Sequence, residues 1–280
     1  MEYLSGYTIK PSEITAVGEV RFTDGTNSNM GANQVTCEAY GYTYDKTSGT
    51  CISFRFNTNL NRNISNINNK NNGSGNTNQL GSNTIQVNGT QNTTRGFNNN
   101  CLINGSNNEI ANGINNSSVF GLKGEATATN SIVLGGNAHD DNLSERQSVQ
   151  LMYGTQTTAG VTVDSYLNNT TDSYFPVPTD TIMYFHADVI AVRVGGTAEI
   201  GDVGDYASWV ERGVVINKSG TLSIQRERDA IKSSGTVTDW RPVANVDGTN
   251  FVMTVRGETD TTIEWNSNIT FTQIKTGVAL

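Results

Sequence analysis

Asn72-Gly73-Ser74-Gly75-Asn76, Asn88-Gly89-Thr90-Gln91-Asn92, Asn104-Gly105-Ser106-Asn107-Asn108 and Asn112-Gly113-Ile114-Asn115-Asn116 are four wordings of one phrase. Their glycines keep a beat. Gly73, Gly81 and Gly89 stand eight apart, Gly105, Gly113 and Gly121 resume the phase, and the one missed position, Phe97, has Gly96 beside it. Asn and Gly both tolerate positive φ, so Asn-Gly is a strong short-range turn signal. Between the turns lie short runs carrying one or two apolar residues: Ile85 and Val87, Cys101 and Ile103, Ile110, Val119 and Leu122. Brief extended segments alternating with turns give a β-solenoid or β-roll, since a helical repeat would not place Gly and Asn at every eighth position. A unit this lean must stack on its neighbours to bury anything. Asn fills 23 of the 60 positions 57–116, a composition otherwise typical of disorder, and the regular beat is what argues for order. So thin a core points to several chains sharing one apolar axis. Ile103, Ile110 and Val119 are expected in that core, and Asn107, Asn108, Asn115 and Asn116 in turns.

Outward from the repeat, composition changes on both sides. Residues 1–56 gather the aromatics the repeat lacks: Tyr3, Tyr7, Phe22, Tyr40, Tyr42, Tyr44, Phe54 and Phe56. Cys37–Tyr44 reads as a strand, Asp45–Gly49 as a turn and Thr50–Phe56 as the return strand, giving a β piece suited to docking or to capping a solenoid. The shaft spans 57–138, a junction 139–173, and an ordinary β-domain 174–280. In that domain strands are expected at Thr181–Val194, Tyr206–Ile216, Thr221–Ile231, Trp240–Val246, Phe251–Val255, Thr261–Trp265 and Ile269–Ile274. About seven strands with no helix imply a β-sandwich of jelly-roll type, so the fold class is all-β throughout. Trp209, Trp240 and Trp265 are expected in its core, with carbohydrate stacking as the alternative use of a tryptophan.

A net charge of −8 argues against nucleic acid as the partner, and no stretch is long and apolar enough for a membrane span. The start Met1-Glu2-Tyr3-Leu4-Ser5 lacks the basic and apolar regions of an export signal. Of Cys37, Cys51 and Cys101, the first two could bridge a hairpin, but free thiols are the expected state in a chain without such a signal. Catalytic constellations are weak. His139 and His186 lie far apart, and Asp202 and Asp205 read as a solvated turn. No residue is singled out as catalytic, cofactor-binding or metal-ligating, no cofactor is implied, and no enzymatic activity is expected.

Asn130-Ser131-Ile132-Val133-Leu134-Gly135-Gly136-Asn137-Ala138, with its parallel Asn116-Ser117-Ser118-Val119-Phe120-Gly121, resembles the head repeats of trimeric bacterial adhesins and related β-roll segments of bacteriophage fibre proteins. The Cys37-to-Cys51 aromatic hairpin is similar to elements of phage appendage proteins. The resemblance implies a homotrimeric rod. A secreted adhesin should add an export signal, a coiled-coil stalk and a membrane anchor, which moves the expectation to a virion. The expected protein is thus a non-enzymatic head or tail fibre, assembled in the host cytoplasm. Its N-terminus would dock on capsid or tail proteins and its C-terminal knob would face a host surface or glycan. A glycan-depolymerising tailspike and a bacterial adhesin fragment are the alternatives.

Overall fold

The structure, a computed structural model, describes residues 9–15, 18–53, 69–79, 81–136, 142–199, 201–235, 237 and 239–276. Tyr3, Tyr7, Phe54, Phe56 and His139 lie outside the described residues. The chain forms two compact units, 1–64 and 65–280.

In the first unit β1 (Lys10–Ile14) pairs antiparallel with β2 (Val20–Thr23), and β3 (Thr43–Asp45) with β4 (Thr50–Ile52). The turn at Asp45–Gly49 forms as expected, its Asp45 carboxylate accepting from the Thr47 N–H and the Ser48 hydroxyl. The strand expected from Cys37 does not form. Residues Gln34–Ala39 are a short helix, α1, because the Asn33 side chain accepts from the Thr36 N–H at 2.9 Å and caps it. Cys37 and Cys51 are disulfide-bonded rather than free. Helix and strand bring their Cα atoms to 5.7 Å, within bridging reach. The bridge lies in a small core with Val20, Phe22 and Ala32, where Tyr40 meets Phe22 edge-on.

The second unit opens with the solenoid. In chain order its strands are β5 (Lys70–Asn72), β6 (Thr77–Asn78), β7 (Asn83–Thr90), β8 (Thr93–Thr94), β9 (Asn99–Ser106), β10 (Glu109–Ile110), β11 (Ser118–Leu122), β12 (Glu125–Ala126) and β13 (Ile132–Gly135). Odd strands stack in parallel on one side, and β6, β8, β10 and β12 on the other. The coil therefore holds two octads. Partners stand sixteen residues apart (Val87↔Ile103↔Val119) until the last coil, which shortens to fourteen (Val119↔Val133).

Alternate glycines form one column, Gly73, Gly89, Gly105 and Gly121, all at positive φ. A Cβ on Gly89 would collide with the Gly105 carbonyl, and one on Gly105 with that of Gly121, so the coils close to hydrogen-bond distance only where no side chain intervenes. The missed beat fits the other corner: Phe97 takes φ 52° and lays its ring over Gly81.

Ile103, Ile110 and Val119 are fully buried, as expected, but inside a core closed by a single chain. The shared apolar axis that the adhesin resemblance implied is therefore corrected, since two facing ladders of one chain already cover these residues. Asn107 and Asn116 occupy left-handed turn positions. Asn108 differs, being 1 % exposed in a buried amide ladder. Its Nδ2 donates to Asn92 Oδ1 (3.1 Å) and to the Gly121 carbonyl (2.9 Å), while its Oδ1 accepts from the Gly124 N–H (2.8 Å). Asn92 repeats this against Asn76 and Gly105. Part of the asparagine content is thus core, each amide satisfying backbone groups that the turn leaves unpaired.

The solenoid runs without a break into long antiparallel strands: β14 (Arg146–Thr157), β15 (Thr162–Leu167), β16 (Phe175–Pro176), β17 (Thr181–Gly196), β18 (Tyr206–Lys218), β19 (Thr221–Ser233), β20 (Arg241–Asp247), β21 (Asn250–Arg256) and β22 (Thr261–Lys275). The sheet order is β19-β18-β17-β22-β14-β13-β11-β9-β7-β5. One buried row reads Val87, Ile103, Val119, Val133, Val149, Phe271, Phe185 across it. The segment expected as a junction thus supplies β14, a full strand of this sheet. Thr261–Trp265 and Ile269–Ile274, expected as two strands, are one, because β14 and β17 pair with β22 on both sides through the polar Asn266-Ser267-Asn268. A smaller layer, β15 and β16 beside β21 and then β20, covers the inner face. Phe175, Phe185, Phe251 and Phe271 pack between the layers at centroid distances of 4.8 to 6.5 Å.

Glu211 of β18 also faces inward and is fully buried. Arg226 and Arg228 approach it at 4.0 and 3.9 Å, and neither carboxylate oxygen has a partner in hydrogen-bond geometry. Burial raises its pKa, against the pull of both guanidiniums and the Ala244 N–H. A raised folded-state value means the folded chain binds the extra proton, so stability falls as pH rises through that window and the cost is fully present above it. Glu211→Gln should therefore melt higher than the parent near neutral pH, with the gap closing as pH falls towards ~4.3; thermal melts at both ends check this. Asn108→Ala should lower stability by about 3 kcal/mol, since it orphans the Gly124 N–H and the Gly121 carbonyl. Asn107→Gly, at a turn, should be neutral within ~0.5 kcal/mol, and urea midpoints of the two variants provide the comparison.

Candidate functional site

Parallel stacking sets register partners of successive coils side by side, and two of the outward columns border clefts. The first flanks the corner formed by Thr84, Asn100 and Asn116, each at φ between 51° and 56°. Beside it runs the row Lys70, Gln86, Leu102 and Ser118. Together they line an open cleft of about 670 Å³ that also includes Asn69. The exposed amides are linked, Asn100 Nδ2 donating to Asn116 Oδ1 at 3.0 Å. Ile85 and Cys101 lie at its floor. Burial pushes the Cys101 thiol up, so it stays protonated and packs as an apolar group. The cleft is mostly polar, interrupted by Leu102, with no carboxylate in its lining.

The second column lies on the opposite ladder. Thr93, Glu109 and Glu125 are register partners on successive coils, which sets the two glutamate Cα atoms at about the 4.8 Å spacing of neighbouring strands. Arg95 Nη2 donates to Glu109 Oε2 at 2.6 Å, and this bond raises the guanidinium pKa above its usual value. The Ser144 hydroxyl donates to Glu125 Oε2 at 2.7 Å. Glu125 borders a second cleft, about 410 Å³, with Asn142, Leu143, Lys275 and Thr276. Two carboxylates one rung apart, each held by one donor, with an ammonium at the cleft edge, can in principle serve acid–base chemistry on an oxygen-linked substrate.

The residues that sequence reading weighed for chemistry fall elsewhere. His186 points outward from β17, with Nε2 3.2 Å from Asp188 Oδ1. Asp202 and Asp205 close a turn on each other, the Asp202 N–H donating to Asp205 Oδ2. Among the described residues no group of three or more His, Cys, Asp or Glu could hold a metal. All three tryptophans are in the core, 3 to 6 % exposed. Trp209 stacks on Trp265 at 5.7 Å and Trp240 tilts against it, as expected of core aromatics. Sequence reading missed Arg95, Glu109 and Glu125. The available signal was the sixteen-residue interval between the glutamates, invisible while the repeat was counted in eights.

No family model and no curated protein matches this chain. Solved structures that match include the tailspike protein of Acinetobacter baumannii phage AM24, at 8 % identity and TM-score 0.30, covering 75 % of this chain and 50 % of that one. The tailspike protein of Acinetobacter phage vB_ApiP_P1 follows at 10 % identity and TM-score 0.26, covering 71 % and 49 %. The tailspike protein gp49 of Acinetobacter baumannii bacteriophage Fri1, a capsular polysaccharide depolymerase, matches at 6 % identity and TM-score 0.23, covering 70 % and 44 %. The chain spans about half the length of these structures. At such scores the likeness is loose, and the weight rests on the chain's own geometry. Against the expectation of no enzymatic activity, one of these matches is described as a capsular polysaccharide depolymerase.

Proposed function

We propose that this chain is a bacteriophage host-attachment protein of the tailspike kind, a virion component that binds a host-surface glycan along its solenoid and cleaves it. The observation that carries the reading is the register pair Glu109 and Glu125, held by Arg95 and Ser144 beside the Lys275 cleft. Glycoside cleavage uses two carboxyl groups flanking the scissile bond, about 5–5.5 Å apart where the stereochemistry is retained. Carboxylates on adjacent rungs start from nearly that spacing. The amide-lined cleft on the other face would hold further stretches of the same polymer, because its donors recur coil by coil as hydroxyl groups recur along a polysaccharide. The disulfide of the first unit suits a protein that works outside a cell.

Residues 1–56 would dock on another virion protein, and three chains would associate. A chain lacking 1–56 should then still assemble with itself yet fail to enter particles.

Incubation with purified capsular polysaccharides should release reducing ends and lower viscosity on at least one of them. Glu109→Gln and Glu125→Gln should each cut that rate by about 100-fold or more while glycan binding persists, the size expected when an acid or base is removed. Unchanged cleavage in both variants would take the chemistry away from this pair. Absence of cleavage and binding across a broad capsule panel would overturn the glycan reading itself.

A further inference from the structure

Among the described residues of the second unit, the long-strand sheet is covered on one side only. Odd-numbered residues of β14, β17, β18 and β22 point into the core and even-numbered ones point out, as their alternating burial shows. The outward face is not what water usually selects on an exposed sheet, where polar and charged side chains dominate. Leu134, Met152, Ile182, Tyr184, Ile190 and Ile274 project from it at 39 to 56 % exposure. Ile182 and Ile274 are direct partners, and Tyr184 is joined to Leu134 through Thr272 and Ser148. The intervening positions are largely Thr, Ser, Asn and Gln. Central charges are satisfied within the face: His186 lies 3.2 Å from Asp188, and Arg212 reaches Glu227 at 3.3 Å and Asp229 at 3.0 Å.

We propose that this outward face is the surface on which copies of the chain pack against one another, and this rests on the three-chain assembly put forward above. Area supports the occupant. Four strands of twelve or more residues make a face on the order of 800 Å², about what each partner contributes to a stable interface. Chemistry does too. A face that sets Ile, Leu, Met and Tyr side chains among Thr, Ser, Asn and Gln, with Arg212 paired to Glu227 and Asp229, presents little central charge to repel a second copy, and exposed apolar groups clustered in this way mark interaction sites.

Mass photometry on the full chain tests it. The parent should register about three times the 30.1 kDa of one chain. Ile182→Lys with Ile274→Lys places like charges side by side on the face and should drop the mass threefold while far-UV circular dichroism is retained. Val161→Lys, at an exposed apolar residue before β15, should keep the parent mass. Should the double variant lose its strand signal, Thr272→Lys, at an exposed polar position between Tyr184 and Ser148, gives the same readout without removing an apolar group. A multi-chain parent whose face variants fold and keep their mass would move the interface elsewhere. A single-chain parent would overturn self-association altogether. Polysaccharide cleavage, assayed on the same samples, reports separately on the glycan reading.

Discussion

The second unit depends on one requirement: each residue must sit on its counterpart in the next coil at the hydrogen-bond spacing of neighbouring strands. The glycine column makes that approach possible, because Gly89 and Gly105 have no Cβ to meet the carbonyl of the following coil. The Asn76-Asn92-Asn108 ladder makes it affordable, because its amides saturate the backbone groups that the turn leaves without partners. Ile85, Val87, Ile103, Ile110 and Val119 then supply a modest apolar filling between the two ladders. A core this lean holds because little of its polar content is left unsatisfied.

An open solenoid exposes a final row of backbone donors and acceptors, which invites pairing with other chains. Here the last coil hands its edge to β14, and the direction of pairing changes from parallel to antiparallel between Val133 and Val149 without a gap in the buried row. The C-terminal sheet is therefore the cap of the shaft as well as its continuation. Its far edge, β19, is largely exposed and carries Arg226, Glu227, Arg228, Asp229 and Lys232. Charges of both signs along an edge strand discourage further strand addition.

The same stacking explains how a repetitive sequence can carry chemistry. On a solenoid, substituting one residue per coil writes a column, so Glu109 and Glu125 become neighbours although sixteen residues separate them. Arg95, fourteen residues before Glu109, joins them from the preceding coil. Function on such a scaffold is read across coils rather than along the chain.

By itself the sequence determined the all-β class, the existence of the repeat, the turn positions of Asn107 and Asn116, and the burial of Ile103, Ile110, Val119 and the three tryptophans. These follow from local turn chemistry and apolar periodicity, which act over a few residues. Only the tertiary structure decided the rest. A coil of sixteen rather than eight depends on which octads face each other, which periodicity leaves open. Asn108 reads as turn in sequence and proves to be core, because its burial is set by the coils above and below. The Asn33 cap put the start of the expected strand, Cys37 to Ala39, into α1 and so placed Cys37 against Cys51. Polar Asn266-Ser267-Asn268 became mid-strand because β14 and β17 flank it. The carboxylate pair belongs here as well, since side chains sixteen residues apart meet only once the chain has wound a full coil.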